Sequence, residues 1–156
     1  IANGFGIYTN QFEMSYLGEW KNDSQNGFGI EFWPDGSYYE GEIHEGLKEG
    51  VGTYSWYDGS LYRGEWFANS MHGYGEYLTA DKKIYRGQFV NSMMHGYGVL
   101  NINNGEKFYL GRFEKDRKEG FGIFVWTAPI FKAYVGFWKN SKQHGVGKYI
   151  SERQGK

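Results

Sequence analysis

The chain has 156 residues, no cysteine and a formal net charge of −1. These features exclude disulfide and thiolate chemistry, and its apolar runs are too short for a transmembrane helix, which needs about 20 apolar residues. Aromatic residues make up 21% of the chain, far more than turns and surfaces require, so rings must supply much of the buried surface.

One short figure recurs six times along the chain. The first copy reads Tyr16-Leu17-Gly18-Glu19-Trp20 and is followed, after a polar loop, by Gly27-Phe28-Gly29. The leading tyrosines lie 23 residues apart three times, then 24 and 25: Tyr16, Tyr39, Tyr62, Tyr85, Tyr109 and Tyr134. A fixed period in the twenties is typical of a repeat array. The predicted array is continuous: a half repeat at 1–15, then repeats at 16–38, 39–61, 62–84, 85–108, 109–133 and 134–156.

Each copy predicts a β-hairpin. From Tyr16 to Trp20, ring and glycine positions alternate with spacers, and a period of two residues is the period of a strand. A second strand should run from Gly27 to about Trp33, and Asp35-Gly36 supplies a tight turn into the next copy. No segment has a sustained 3.6-residue period. We therefore expect an all-β fold, an elongated single-layer antiparallel twisted sheet of stacked hairpins with almost no helix.

The later copies depart from the pattern in two ways. Lys82 replaces the turn glycine, and Thr127-Ala128-Pro129-Ile130 stands where an Asp-Gly turn belongs, so we expect a local bend or changed twist there. The spacers of the first strand are charged at Glu40 and Glu42 but apolar at Val135 and Phe137. This change predicts an apolar surface near the C-terminal end, covered by further chain or by a second subunit.

Charge is unevenly distributed along the sequence. Residues 1–78 hold twelve acids and three bases, a net charge of −9, whereas residues 79–156 hold fourteen bases and six acids, a net charge of +8. One interpretation is drift in surface charge. The other is head-to-tail or antiparallel association between two molecules of the protein, or a basic end that meets an acidic partner.

The repeated pattern consists of Tyr-x-Gly-x-Trp, six residues and then Gly-x-Gly, with His72, His95 and His144 just before the glycine pair in three copies. This pattern resembles the MORN (membrane occupation and recognition nexus) repeat family. The resemblance covers nearly the whole chain. It implies an elongated, twisted antiparallel sheet whose usual role is protein interaction, with an aromatic groove that receives a partner segment. It also implies phosphoinositide binding as an alternative, because that is proposed for several members of the family.

Catalytic and metal chemistry are poorly matched by the sequence. His72, His95 and His144 sit one copy or more apart, and equivalent residues of neighbouring copies are separated by two strand spacings, roughly 9.6 Å, too far to share a zinc ion. The Gly-x-Gly pairs have no helix after them, so they lack the context of a nucleotide-binding loop. Ser70 and Ser92 lie near histidines, but no acid is fixed to that pattern. We expect no enzyme activity, no metal and no cofactor.

The main functional hypothesis is a scaffold that binds a partner peptide or helix along its ring-lined face. Large rings suit this role because they dominate binding hot spots; the alternative is that they only pack copy against copy. The predicted contact rings are Tyr16, Trp20, Tyr39, Tyr62, Trp66, Tyr85, Phe89, Tyr109, Phe113, Tyr134 and Trp138.

Two other hypotheses stay open. A patch for anionic lipid is predicted at Lys115, Arg117, Lys118, Lys139 and Lys142. The chain begins in mid-copy, so we expect a piece of a longer protein, and it could then be the regulatory arm of an enzyme. Self-association through the C-terminal end is compatible with each hypothesis. We expect an intracellular, cytoplasmic location with cytoskeletal or membrane association, and no nucleic-acid partner, because the acidic half would repel its phosphates.

Overall fold

The computed structural model describes residues 1–152 and consists almost entirely of β-strands. Contacts divide it into two compact units, one covering Ile1–Ala80 and the other beginning at Asp81. The strands of the first unit are β1 Gly4–Thr9, β2 Ser15–Lys21, β3 Ser24–Phe32, β4 Tyr38–His44, β5 Leu47–Ser55, β6 Leu61–Phe67 and β7 Ser70–Leu78. Those of the second are β8 Ile84–Val90, β9 Met93–Ile102, β10 Lys107–Glu114, β11 Arg117–Trp126, β12 Lys132–Lys139 and β13 Lys142–Ser151.

Within each unit every strand pairs antiparallel with its neighbours in the chain. The sheet of each unit is a single layer, and the only helical segment among residues 1–152 is a 3-10 turn at Asn103–Gly105. The prediction of an all-β, single-layer antiparallel fold is therefore confirmed. Lys82 adopts φ +67° in its turn, close to the φ of +87° at Gly59, and residues 128–130 form a bend.

Each sheet has two different faces. On β4, Tyr39, Gly41 and Ile43 are buried and alternate with the exposed residues Glu40 and Glu42. We call the face that carries the leading tyrosines the tyrosine face, and the opposite one the spacer face. The tyrosine face holds most of the core of both units; Val125 and Ala133, which pair on the spacer face, are also buried.

A single layer buries its tyrosines because each ring packs directly against glycine. A Cβ atom added at Gly52 would overlap the ring of Tyr39, and one at Gly41 would lie 2.7 Å from its hydroxyl oxygen. Tyr39 is fully buried as a result. The two glycines face each other in the ladder between β4 and β5. They provide the space that this ring fills, and the same arrangement recurs in every copy.

A bulge beside each glycine pair completes the motif. The ladder between β4 and β5 shifts register between Gly41 and Ile43. The hydroxyl of Tyr39 donates to the carbonyl of Glu42 at 2.7 Å, and the Glu42 carboxylate accepts from the amide of Val51 at 2.6 Å. Both polar groups that the bulge removes from the ladder are thereby satisfied. The motif tyrosine and the spacer acid thus form hydrogen bonds to the backbone beside the glycine pair.

Edge-to-face ring contacts connect one copy to the next. The Trp66 ring lies 5.2 Å from the Tyr62 ring in its own copy and 5.5 Å from Tyr39 in the preceding copy, at angles of 88° and 84°. In the second unit Phe113 meets Tyr85 and Tyr109 at 5.1 Å in the same way. Such a pair contributes about 0.5–1.5 kcal/mol beyond the area that it buries. The rings therefore join the copies into a continuous core within each unit.

We expect Gly52→Ala to lower the free energy of unfolding by about 1–3 kcal/mol, because the added methyl group overlaps the buried Tyr39 ring. Urea unfolding followed by tryptophan fluorescence measures this loss. Thr53→Ala, at the neighbouring position on the spacer face, is the control and should cost less. Equal losses for the two variants would contradict the account of the glycine contact.

Arg112 breaks the acceptor pattern of the bulges. The corresponding side chain accepts from a backbone amide in copies one to four, and Gln88 does so for Tyr97 at 2.8 Å. A guanidinium has no acceptor, so Arg112→Gln should stabilise the chain by about 0.5–1.5 kcal/mol through a new bond to the amide of Phe121. Arg112→Met removes the same charge without adding an acceptor. If the two variants are equally stable in urea, this expectation is wrong.

Candidate functional site

The eleven rings predicted to contact a partner lie mostly below the surface. Ten of them are buried, and the leading tyrosines of the first five copies are 0% exposed; Trp20 alone is half-buried. Each tyrosine fills the space above the glycines, so its hydroxyl faces backbone instead of solvent. The packing interpretation accounts for these rings, and a partner cannot touch the tyrosines in this arrangement. Whether the chain binds a partner stays a prediction.

Burial also determines the chemistry of these tyrosines. It raises the pKa of Tyr16 to about 12, with further contributions from Glu31 and Glu19. Burial likewise raises the pKa of Tyr109 to about 12, with a contribution from Glu119. The hydroxyls of Tyr16 and Tyr109 therefore stay protonated at neutral pH and donate hydrogen bonds to the bulge carbonyls of Glu19 and Arg112.

A second set of rings on the tyrosine face is half-exposed. Trp33, Tyr54, Trp56 and Tyr77 follow one another with centroid distances of 5.3, 4.5 and 5.8 Å. We call these four residues the unit 1 ring strip. They lie at the ends of the second strands, two or four residues beyond a Gly-x-Gly pair. Period-two alternation from that glycine places them on the tyrosine face, but the predicted contact rings all lie on the first strands.

The second unit carries a ring cluster with two lysines. Phe124 and Trp126 have centroids 4.5 Å apart, and Lys132 Nζ lies 5.2 Å from the Trp126 ring and 4.5 Å from the Tyr149 ring. Lys118 Nζ lies 5.5 Å from the Tyr109 ring and 5.6 Å from those of Phe124 and Trp138. These distances are within the range of cation–π attraction. We call Lys118 with its three rings the Lys118 cage.

The first unit contains a related lysine with an anionic partner. Lys48 Nζ lies 5.2 Å from the Trp33 and Tyr39 rings and 3.2 Å from Glu31 Oε2. That oxygen accepts no directed hydrogen bond within residues 1–152, so charge holds the pair together. The side chains are 14% and 8% exposed. Glu31 and Lys48 therefore neutralise each other beside the ring strip.

Lys118 has no such partner. No ion pair joins it to a carboxylate within the described part of the chain. Burial, with a smaller contribution from the positive charge of Lys83, lowers the pKa of Lys118 from its ordinary value of 10.5. The ammonium is thus desolvated, and three rings lie around it.

The predicted lipid patch is divided by the fold. Lys118 lies on β11 directly opposite Phe113 on the tyrosine face, whereas Arg117 lies opposite Glu114 at the turn. Lys115, Arg117, Lys139 and Lys142 are exposed at two hairpin turns, which are joined by a hydrogen bond of 3.3 Å from Arg117 Nη1 to Asn140 Oδ1. A polar hollow of about 320 Å³ lies there, lined by Glu114, Lys115, Arg117, Glu119 and Asn140. Acids are interspersed with the bases of this patch.

The apolar surface predicted on the spacer face near Val135 and Phe137 is present. Phe137 is 49% exposed and packs against the equally exposed Phe121 at 5.8 Å. Self-association through it stays a prediction.

Within residues 1–152 no group of three or more His, Asp or Glu residues is arranged to hold a metal ion. In that same range, none of the helical structure is long and apolar enough to cross a membrane.

Comparison with protein families gives one result. The family model described as MORN repeat matches the chain six times, at residues 16–38, 39–61, 62–83, 85–107, 109–127 and 134–155. The match covers most of the chain and begins in each copy at the leading tyrosine. No curated protein matches the chain.

Two matched substitutions should have opposite effects on stability at Lys48, which is paired with Glu31, and at Lys118. Lys48→Met leaves Glu31 buried without its cation and should lower the free energy of unfolding by about 3 kcal/mol. Lys118→Met removes a desolvated charge and should raise Tm by about 2–4 °C. Methionine is a fair replacement because Met71 and Met94 occupy the same position in copies three and four.

Thermal and urea unfolding at neutral pH measure both effects. The folded-state pKa of Lys118 is lowered, so burying its charged ammonium destabilises the fold. This destabilisation is complete below the folded-state pKa and disappears as the pH rises toward 10.5, the ordinary pKa. The advantage of Lys118→Met should therefore shrink in alkaline buffer. Equal destabilisation by the two substitutions would show that the two lysines do not differ as described.

Proposed function

Since the chain belongs to the MORN repeat family, whose repeats are associated with protein and membrane interactions, we propose that it is a non-catalytic module that binds a segment of a partner protein. The unit 1 ring strip is the observation that carries this proposal. The partner lies across the tyrosine face and contacts Trp33, Tyr54, Trp56 and Tyr77.

The rings of the strip have the properties of binding anchors. They are half-exposed, so they offer apolar area that a partner can bury, and their neighbours hold them in place. Tyr54 packs between Trp33 and Trp56, and its ring lies 6.2 Å from the buried Trp66 ring. Rigid aromatic side chains lose little conformational entropy on binding, and they dominate interface hot spots. The strip therefore supports recognition of an apolar or aromatic segment.

Anionic-lipid binding is the second candidate, supported by the exposed bases at the two linked turns. Lys115, Arg117, Lys139 and Lys142 contribute four positive charges there, but Glu114, Asp116 and Glu119 contribute three negative ones. Polybasic attraction to a membrane is about 1 kcal/mol per base near the surface, so a local excess of one charge gives little binding. Protein binding is accordingly the function that we favour.

We expect Trp33→Ala/Trp56→Ala to reduce capture of a specific partner from native lysate at least about tenfold, because two anchors are lost. The affinity-tagged chain serves as bait, and quantitative mass spectrometry measures the captured proteins. Tyr74→Ala is the matched control, since Tyr74 is an exposed ring, 63% accessible, on the spacer face of the same unit. Folding of each bait is checked by circular dichroism and Tm.

Two outcomes would contradict the proposal. In the first, the double variant and the wild-type chain capture the same proteins in equal amounts. In the second, Tyr74→Ala reduces capture as strongly as the double variant does, which would place the interaction on the other face.

A further inference from the structure

Lys48 and Lys118 occupy the same place in their copies but have different surroundings. Each lies nine residues after its leading tyrosine, opposite the last core residue of the first strand, Ile43 or Phe113. Each nitrogen also lies over the ring of that tyrosine, at 5.2 and 5.5 Å. Of the two lysines, only Lys48 forms an ion pair with a carboxylate among residues 1–152.

The register identifies what replaces that carboxylate in the second unit. Glu31 lies on β3 between Tyr16 and Tyr39 in the neighbouring strands. The residue between Tyr85 and Tyr109 is Leu100. An apolar side chain thus stands where the first unit places the counter-ion. Lys118 keeps the rings of the arrangement, and Leu100 takes the place of the anion that Lys48 has.

Other cations reinforce the imbalance around the Lys118 cage. Lys107 pairs across the strands with Trp126, and Lys132 Nζ lies over both the Trp126 and Tyr149 rings. Lys83, which is itself paired with Asp81 at 2.9 Å, also acts on Lys118 by charge repulsion. Positive nitrogen atoms and half-exposed rings therefore share the tyrosine face of the second unit.

We infer that this face binds an acidic peptide segment of a partner protein, with one carboxylate seated against Lys118 in the role that Glu31 plays for Lys48. Desolvated ammonium groups are stabilised by a carboxylate at hydrogen-bond distance. Apolar side chains beside that carboxylate pack on Phe124 and Trp126. This inference rests on the proposed protein-binding function and specifies the chemistry of the partner.

A single side chain fits the cage better than a membrane surface does. Lys118 is half-buried among three rings, whereas a bilayer surface first meets exposed cations such as Lys139 and Lys142. A carboxylate on an extended chain can reach between rings, and its flanking residues bury the remaining ring area. The occupant is therefore an acidic and apolar peptide.

The test measures fluorescence anisotropy of two labelled peptides with the whole chain in low salt. One short peptide alternates glutamate with leucine and tryptophan, and its twin carries glutamine in place of every glutamate. We expect the glutamate peptide to bind at least about tenfold more tightly, since a charge pair is added at a desolvated site. Lys118→Met should remove this preference, whereas Lys139→Met, an exposed lysine of equal charge, should retain it. Leu100→Glu, which supplies an internal carboxylate, should weaken binding of the glutamate peptide.

Other outcomes overturn the inference in distinguishable ways. If the two peptides bind equally and Trp126→Ala abolishes the binding of both, the ring surface is a binding site but the role of the carboxylate is refuted. Absence of binding by either peptide would refute the acidic occupant, and lysate capture would still decide the proposed function of the unit 1 ring strip. A Lys118-dependent dimer in sedimentation would identify a second copy as the occupant instead. Lys118-dependent binding to phosphatidylserine vesicles without peptide preference would identify lipid.

Discussion

The structure depends on a tyrosine ring lying across two glycines of adjacent strands. Tyr62 rests on Gly64 and Gly75, its hydroxyl donates to the carbonyl of Glu65 at 2.8 Å, and its edge meets Trp66. A lone sheet has no second layer to cover its rings, and it normally needs one to bury apolar area. Because the glycines lack Cβ atoms, each tyrosine ring packs directly against the backbone of the sheet. This explains how a single layer can contain a core.

Because the motif residues supply this core, recognition must use positions that the motif leaves free. The residue nine positions after the tyrosine is Gln25, Lys48, Met71, Met94, Lys118 or Gln143, always opposite the end of the first strand. The same backbone thus accepts an amide, a thioether or an ammonium. Positions fifteen and seventeen residues after the tyrosine vary in the same way, and they include the whole unit 1 ring strip. Stability and recognition are separated along each copy.

The extent of sequence prediction follows from this separation. The repeated motif and its period predicted the stacked hairpins and the family, because both depend on motif residues. The candidate site was less predictable. Alternation places Tyr39 and Trp33 on the same face but cannot show that the first ring is fully buried against glycine and the second is half-exposed. Arg117 and Lys118 are neighbours in sequence, yet strand geometry puts them on opposite faces, so a patch counted along the sequence could not remain one patch.

The charge state of the tyrosine face arises from pairs in different copies. Lys48 is neutralised by Glu31, which belongs to the preceding copy. Within residues 1–152 Lys118 has no ion pair, and Leu100 occupies the place that corresponds to Glu31. Neither residue alone determines whether its face presents a free cation. Changing one side chain in one copy can therefore switch the surface of the next copy between neutral and basic without altering the tyrosine–glycine core. A repeat array built this way can diversify its binding surface through contacts between neighbouring copies, while every copy keeps the same fold.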